Sequence, residues 1–473
     1  MFAKKIWNLL LLTAALAICG CSEERESAAP APAFELTAEI SADRPLFVVP
    51  GKDLELTYTA ENVSSVVAEG LPEGWSVRVD ETARRIGISA TPDAATKAAV
   101  TITAAGAGAE KIVRTVELCC LNAFDDPNGT FVLNEGNMTT ENGSLIWISP
   151  EGYLLDDAYK TVNGSELGNV AQDMAFCGDR IYVISQNGDK NPNGTLFEND
   201  GMLVVMDART LKKTDAFTRE ELAGLDWPTH IAVLDEQHIY IRDNKGIHRL
   251  DATTRKLTFI EGSDGAPKSR FMTMNGKVYT YKSGYISKLL EIAPGSDAVT
   301  SLSMPYRVDY DINEVLGIQK ADDGKIWILS FGFGTTAIGK FDPAAKTIVQ
   351  RKISFKPEIG SSGVTFVARG NDLYYADGTT IYHMPFNETE EVADAEVWMV
   401  DVSALDKHAG LSYNGLGVHP VTGRVYINTI KSYAQFTQNQ IWGFDFAASA
   451  EAPAVKYENC THFPAGFFFA GNN

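Results

Sequence analysis

The chain has 473 residues, 45% of them hydrophobic and 22% charged, with a formal net charge of -20 at pH 7. That length favours more than one domain, and the composition is that of a globular protein rather than a disordered one. An acidic field of this size repels phosphate backbones and anionic headgroups, which argues against nucleic-acid binding and against broad membrane-surface contact.

Residues 1–20 predict an export signal. Lys4 and Lys5 precede the apolar run "IWNLLLLTAALAI", which is too short for a permanent span. Ile18-Cys19-Gly20-Cys21 resembles a bacterial lipobox cut before Cys21, so Cys21 is the expected lipidation site. A triacylated cysteine, at about 0.8 kcal/mol per buried CH₂, holds a membrane stably. "SEERE" at 22–26 resembles the acidic signal that sends Bacteroidota lipoproteins to the outer face of the outer membrane. The expected location is therefore the outer membrane, facing the cell exterior, with membrane contact through the lipid anchor only. The Pro- and Ala-rich residues up to 33 read as a semi-rigid tether.

Residues 34–121 alternate apolar and polar side chains in short runs such as "LELTYTA", "WSVRVD" and "AVTITAA", broken by turns at "VPGKD" and "LPEGW". Period-two runs about ten residues apart predict a small β-sandwich. "LPEGWSVRVDETARRIGISATPD" resembles Ig-like and cadherin-like modules of bacterial surface proteins. Cys119, Cys120, Cys177 and Cys460 lack metal-site spacing, and their disulfide state is left open.

From residue 122 to 473 two strand types recur seven times each. One reads "TFVLNEG", "DRIYVISQN", "QHIYIRDN", "GKVYTYKSG", "GKIWILSFG", "NDLYYADG" and "GRVYINT"; the other runs from "LIWISPEG" to "IWGFDFAA". A lone four-stranded blade cannot bury both faces, whereas blades stacked around an axis can, and this predicts a seven-bladed β-propeller. The fold class is thus all-β, a sandwich followed by a propeller. The last run, "HFPAGFFFAG", has no outer strands after it and is expected to supply the inner strand of the first blade.

Enzyme motifs are scarce: there is no HExxH, P-loop or G-x-S-x-G, and the seven histidines are scattered, so a binding protein is expected rather than an enzyme. Asp189, Asn191 and Asn193, with Gly194 and then Asp200, match the oxygen-donor spacing of a calcium loop, although "NPNG" is equally a turn. In a propeller, the loops before each inner strand and after each second strand share one face. On those loops lie Trp227, His230, Arg242, Arg270, Lys282, Phe331, Phe333, Tyr413, Tyr433 and Phe436, the candidate ligand-binding residues. Aromatic groups gathered on an exposed face mark a binding surface.

The lipobox, the "FVLNEGN" opening and the "FPAGFFF" ending resemble the YncE-like seven-bladed propeller lipoproteins of Bacteroidota, related to BtuG-type corrinoid-capture lipoproteins. The resemblance implies capture of a corrinoid (vitamin B12), as ligand rather than cofactor, and its delivery to a TonB-dependent outer-membrane transporter. It places Trp227, Phe331 and Phe333 against the apolar edge of the ligand and Arg242, Arg270 or Lys282 at its phosphate, with His230 or His462 as a candidate cobalt ligand. The competing expectation is a surface adhesin that binds glycans or proteins.

Overall fold

The computed structural model describes residues 30–38, 40, 44–189, 198–304, 314–357, 364–388, 397–449 and 452–471; Cys21, Asn191 and Asn193 lie outside them. The described residues form nine four-stranded sheets, and helix is confined to short segments such as Ala158–Asn163.

Two sheets face each other near the N-terminus. One joins Ala33–Leu36, Leu54–Glu61, Arg85–Ala90 and Trp75–Asp80; the other joins Leu46–Val48, Lys111–Cys120, Lys97–Gly106 and Val63–Glu69. Lys97–Gly106 shows why. Its small and β-branched residues alternate strictly between buried and half-exposed, as a strand with one face on a core requires. Phe34, Leu56, Tyr58, Trp75, Ile86, Ile88, Val100 and Ile102 fill the space between the sheets. Cys120 points into this core, and Cys119, Cys120, Cys177 and Cys460 are all free thiols. Burial pushes the Cys120 thiol up to about 11 and Cys460 up to about 12, so both behave as small apolar groups.

The other seven sheets are the blades of a propeller. Six inner strands are Asn169–Cys177, His230–Asp235, Met272–Met274, Glu314–Lys320, Phe366–Arg369 and Leu411–Val418. The seventh comes from the end of the chain. Pro464–Phe468 pairs antiparallel with Thr130–Asn134, setting Phe467 opposite Val132 and Phe468 opposite Phe131. One blade therefore joins both ends of the repeat region, and the ring has no open inner edge. The recurring aromatic centres Tyr182, Tyr240, Tyr279, Trp327 and Tyr426 are buried between blades.

Antiparallel pairing within each blade sorts the loops into two faces. Loops before first strands and after second strands form the upper face; loops after first and third strands form the lower face. The sandwich is seated at the lower rim. Val49, Leu121 and Phe124 share one core with Phe131, Trp147 and Tyr159 of the propeller. The Phe124 ring meets Trp147 edge-on at 4.9 Å, Lys97 pairs with Glu151 at 2.6 Å, and Arg209 Nε donates to the Asn122 carbonyl at 2.9 Å. A shared apolar core makes this a fixed junction rather than a swinging one.

Candidate ligand-binding face

Loops on the upper face are long where strand pairing does not restrict them. Among the described residues, seven large apolar side chains stand exposed there: Met138, Trp227, Tyr285, Ile286, Phe333, Leu405 and Tyr433. Tyr285 is 83% exposed and Phe333 81%. Val421 is the one large apolar residue exposed on a described lower-face loop. Trp227 and Phe333 also hold positive φ, 55° and 45°. That region is costly for bulky side chains, by about 1–3 kcal/mol, and persists only where the surroundings enforce it.

A second group forms by packing. Phe436 stacks on Phe463 at 4.3 Å, Tyr413 tilts against Phe463 at 5.4 Å, and Tyr433 meets Tyr413 edge-on at 6.2 Å. His462 lies beside Phe436, its Nδ1 3.0 Å from Glu141 Oε2. The predicted residues Tyr413, Tyr433 and Phe436 thus come together around Phe463, which sequence reasoning did not single out.

Cations are set among these rings. Arg242 is half-buried, its Nε donating to the Ala266 carbonyl and its Nη1 to Thr229 Oγ1, both at 3.2 Å. Lys282 Nζ donates to the Asp264 carbonyl at 3.0 Å. Burial holds the Lys268 ammonium below its usual pKa, opposed by Glu135 and reinforced by Arg242. An anion arriving here would restore what burial removes from these charges. Phe331 is half-buried under Lys356 Nζ, 4.5 Å from its ring centre, and so offers less surface than Phe333.

Two expectations are corrected. His230 is 0% exposed, because it sits inside the first strand of its blade, opposite Arg242, with Nδ1 2.9 Å from Thr229 Oγ1. It is not accessible as a cobalt ligand. Arg270 belongs to the axis rather than the rim. It reaches across to donate from Nη1 to the Phe467 carbonyl at 3.2 Å, with its Nε 3.3 Å from Asp173 Oδ1. Burial pushes the Asp173 carboxyl up to about 6, with Arg270 pulling the other way.

The expected calcium loop has only its ends within the described residues. Asp189 Oδ1 accepts from the Arg219 amide at 3.2 Å. Asp200 accepts from Tyr159 Oη at 2.6 Å and from Ser165, and it pairs with Lys213. A cation would have to displace that ammonium, so Asp200 does not face the loop as a spare ligand. Among the described residues no cluster of three His, Cys, Asp or Glu side chains is placed to hold a metal.

Tyr285, Ile286, Met138 and Lys268 were missed by sequence reasoning. The signal for Tyr285 was present: "YKSGYIS" follows a second strand, and the strand ends at Lys282, which buries Tyr281 and leaves Tyr285 in the loop.

A family model described as "Domain of unknown function (DUF5074)" matches residues 128–470. The chain belongs to the DUF5074 family. The matched span begins just before the Thr130–Asn134 strand and ends just after the strand that closes the ring, so the family unit is the propeller. No curated protein matches the sequence. Among solved structures, a quinonprotein alcohol dehydrogenase-like protein of Bacteroides thetaiotaomicron is 16% identical over 93% of this chain and 99% of its own, with a TM-score of 0.55. TolB of Acinetobacter baumannii is 12% identical over 75% of this chain and 94% of its own, with a TM-score of 0.32. A streptogramin B lyase is 13% identical over 67% and 96%, also at 0.32. For this DUF5074 member, the first likeness supports the fold and nothing finer.

Proposed function

We propose that this DUF5074 protein is a lipid-anchored binding protein on the outer membrane, which captures a bulky ligand on its upper face and hands it to a TonB-dependent transporter. One observation carries the reading: seven large apolar side chains exposed on a single face. The two-residue turn between paired Gly332 and Thr335 imposes the positive φ at Phe333, and a large ring held exposed at such a position is left free for ligand contact. The sandwich is fixed to the lower rim, so this face is turned away from it.

A corrinoid is the ligand class that best matches the surface. It is broad and flat, ringed by amides, and carries an anionic phosphodiester. Trp227, Phe333 and Tyr285 offer apolar area, and Arg242, Lys268 and Lys282 offer charge for the phosphate. Calorimetry with cyanocobalamin tests it. Saturable heat at micromolar protein is the expected result. Absence of heat removes the corrinoid and leaves the propeller intact; binding of an oligosaccharide in its place would favour the adhesin.

A further inference from the structure

We propose that the axial cavity opening on the lower face is a second binding site, one for a small carboxylate. The cavity has a volume of ≈ 860 Å³. Pockets for small ligands span roughly 300–1,000 Å³. Its mouth is formed by lower-face residues such as Gly178, Asn275 and Pro420, and its wall by first-strand residues such as Phe176, Val233 and Ile318.

Arg270 forms the upper end. Its guanidinium lies 4.0 Å over the Phe468 ring and bonds the Phe467 carbonyl. The backbone makes room for it, since a Cβ at Gly466 would collide with Arg270 Nη2. Asp173, the partner acid, is sealed off. Its side chain is 3% exposed against 24% for Arg270, and its Oδ2 accepts from the Ile231 amide at 3.1 Å. The charge that the cavity meets is therefore positive. The pair stands 3.3 Å apart without closing a hydrogen bond between Asp173 Oδ1 and Arg270 Nε. A guanidinium has five N–H donors in a planar fork that suits a carboxylate.

The rest of the lining fits that assignment. The wall exposes more polar than apolar surface, since strand backbone faces the axis, and it offers hydrogen bonds to the rest of a small anion. At the mouth Lys320 and Arg369 outnumber Asp322. An anion entering there meets cations at both ends of the path.

The probe is benzoate, with neutral benzamide as its near-isostere, followed by calorimetry and ligand-observed NMR on the purified protein. Benzoate should bind saturably, and benzamide at least about tenfold more weakly. Asp173→Asn removes the competing anion and should raise benzoate affinity about tenfold. Thr273→Trp, at a half-exposed wall position, should fill the cavity and abolish binding with the melting temperature unchanged. Trp227→Ala with Phe333→Ala should leave benzoate binding intact, which separates this site from the upper-face reading. The proposal is overturned by absence of saturable benzoate binding to the wild type, by equal affinity for benzamide, or by binding that survives Thr273→Trp.

Discussion

On the upper face Trp227, Tyr285 and Tyr433 stand in solvent on longer connections; on the lower face Cys177 pairs with Arg180 and Met274 with Lys277, leaving two-residue turns between them. Asn275 and Gly276 both hold positive φ, 53° and 68°, as an Asn-Gly hairpin turn demands. The same strands end in both places, and what differs is the freedom of the connection. A tight turn is dictated by the pairing it serves, so the lower face has little loop to vary and holds a cavity made by the strands themselves. An upper loop such as 135–143 is long enough to carry side chains that packing does not require.

The comparison can be broken outright by removing what both faces share. Ending the chain before His462 deletes Pro464–Phe468, and loss of cooperative unfolding and of protease resistance is expected; a truncated chain that melts like the full one would contradict ring closure. Next in size is Phe124→Ala, which cuts the shared core at the lower rim and should cost about 3–5 kcal/mol in denaturant unfolding. It should leave upper-face binding in place, because its contacts are to Phe131 and Trp147. Trp227→Gly with Phe333→Gly should weaken ligand binding about tenfold or more in calorimetry. The same pair should hold or slightly raise the unfolding midpoint, since glycine relieves positive φ at about 1–2 kcal/mol and returns part of that as chain entropy.

The smallest effect is expected at Asp157, the N-cap of Ala158–Asn163, which accepts from the Lys160 amide at 3.1 Å. Burial pushes this carboxyl up to about 6, against the hydrogen bonds and Lys160 that favour its charge. The unfolded value is about 3.9. Between the two the folded chain binds the extra proton, so this group makes stability fall as pH rises from about 4 to about 6. Asp157→Asn keeps the cap and removes that slope. Its melting temperature should exceed the wild type by about 2 °C above pH 6 and converge with it below pH 4.

The ring was legible because aromatic centres such as Tyr240 and Trp327 recur at one place in six of the seven second strands, where neighbouring blades press on both sides. Ring closure was legible in "FPAGFFF", an inner strand with no outer strands behind it. Trp227, Phe333 and Tyr433 were found by the same loop rule that failed at His230. There the strand begins at the histidine itself, and one residue of boundary separates a rim side chain from a buried one. Arg270 was misplaced for another reason: a pattern along the chain shows which loop a side chain leaves but not whether it turns outward or across the axis. Asp200 failed because its partners, Tyr159 and Lys213, approach from separate elements that spacing within the loop does not register.

The strand that seals the ring is also the last strand to be made. Thr130–Asn134 must wait for it with one edge unsatisfied while the remaining blades appear. At about 5–20 residues per second, a chain emerging from its N-terminus leaves that edge bare for on the order of tens of seconds. An edge left bare for that long is open to pairing with a second chain. An interrupted polypeptide carries its own mark for destruction, because the seam that would hide its interior from proteases never forms.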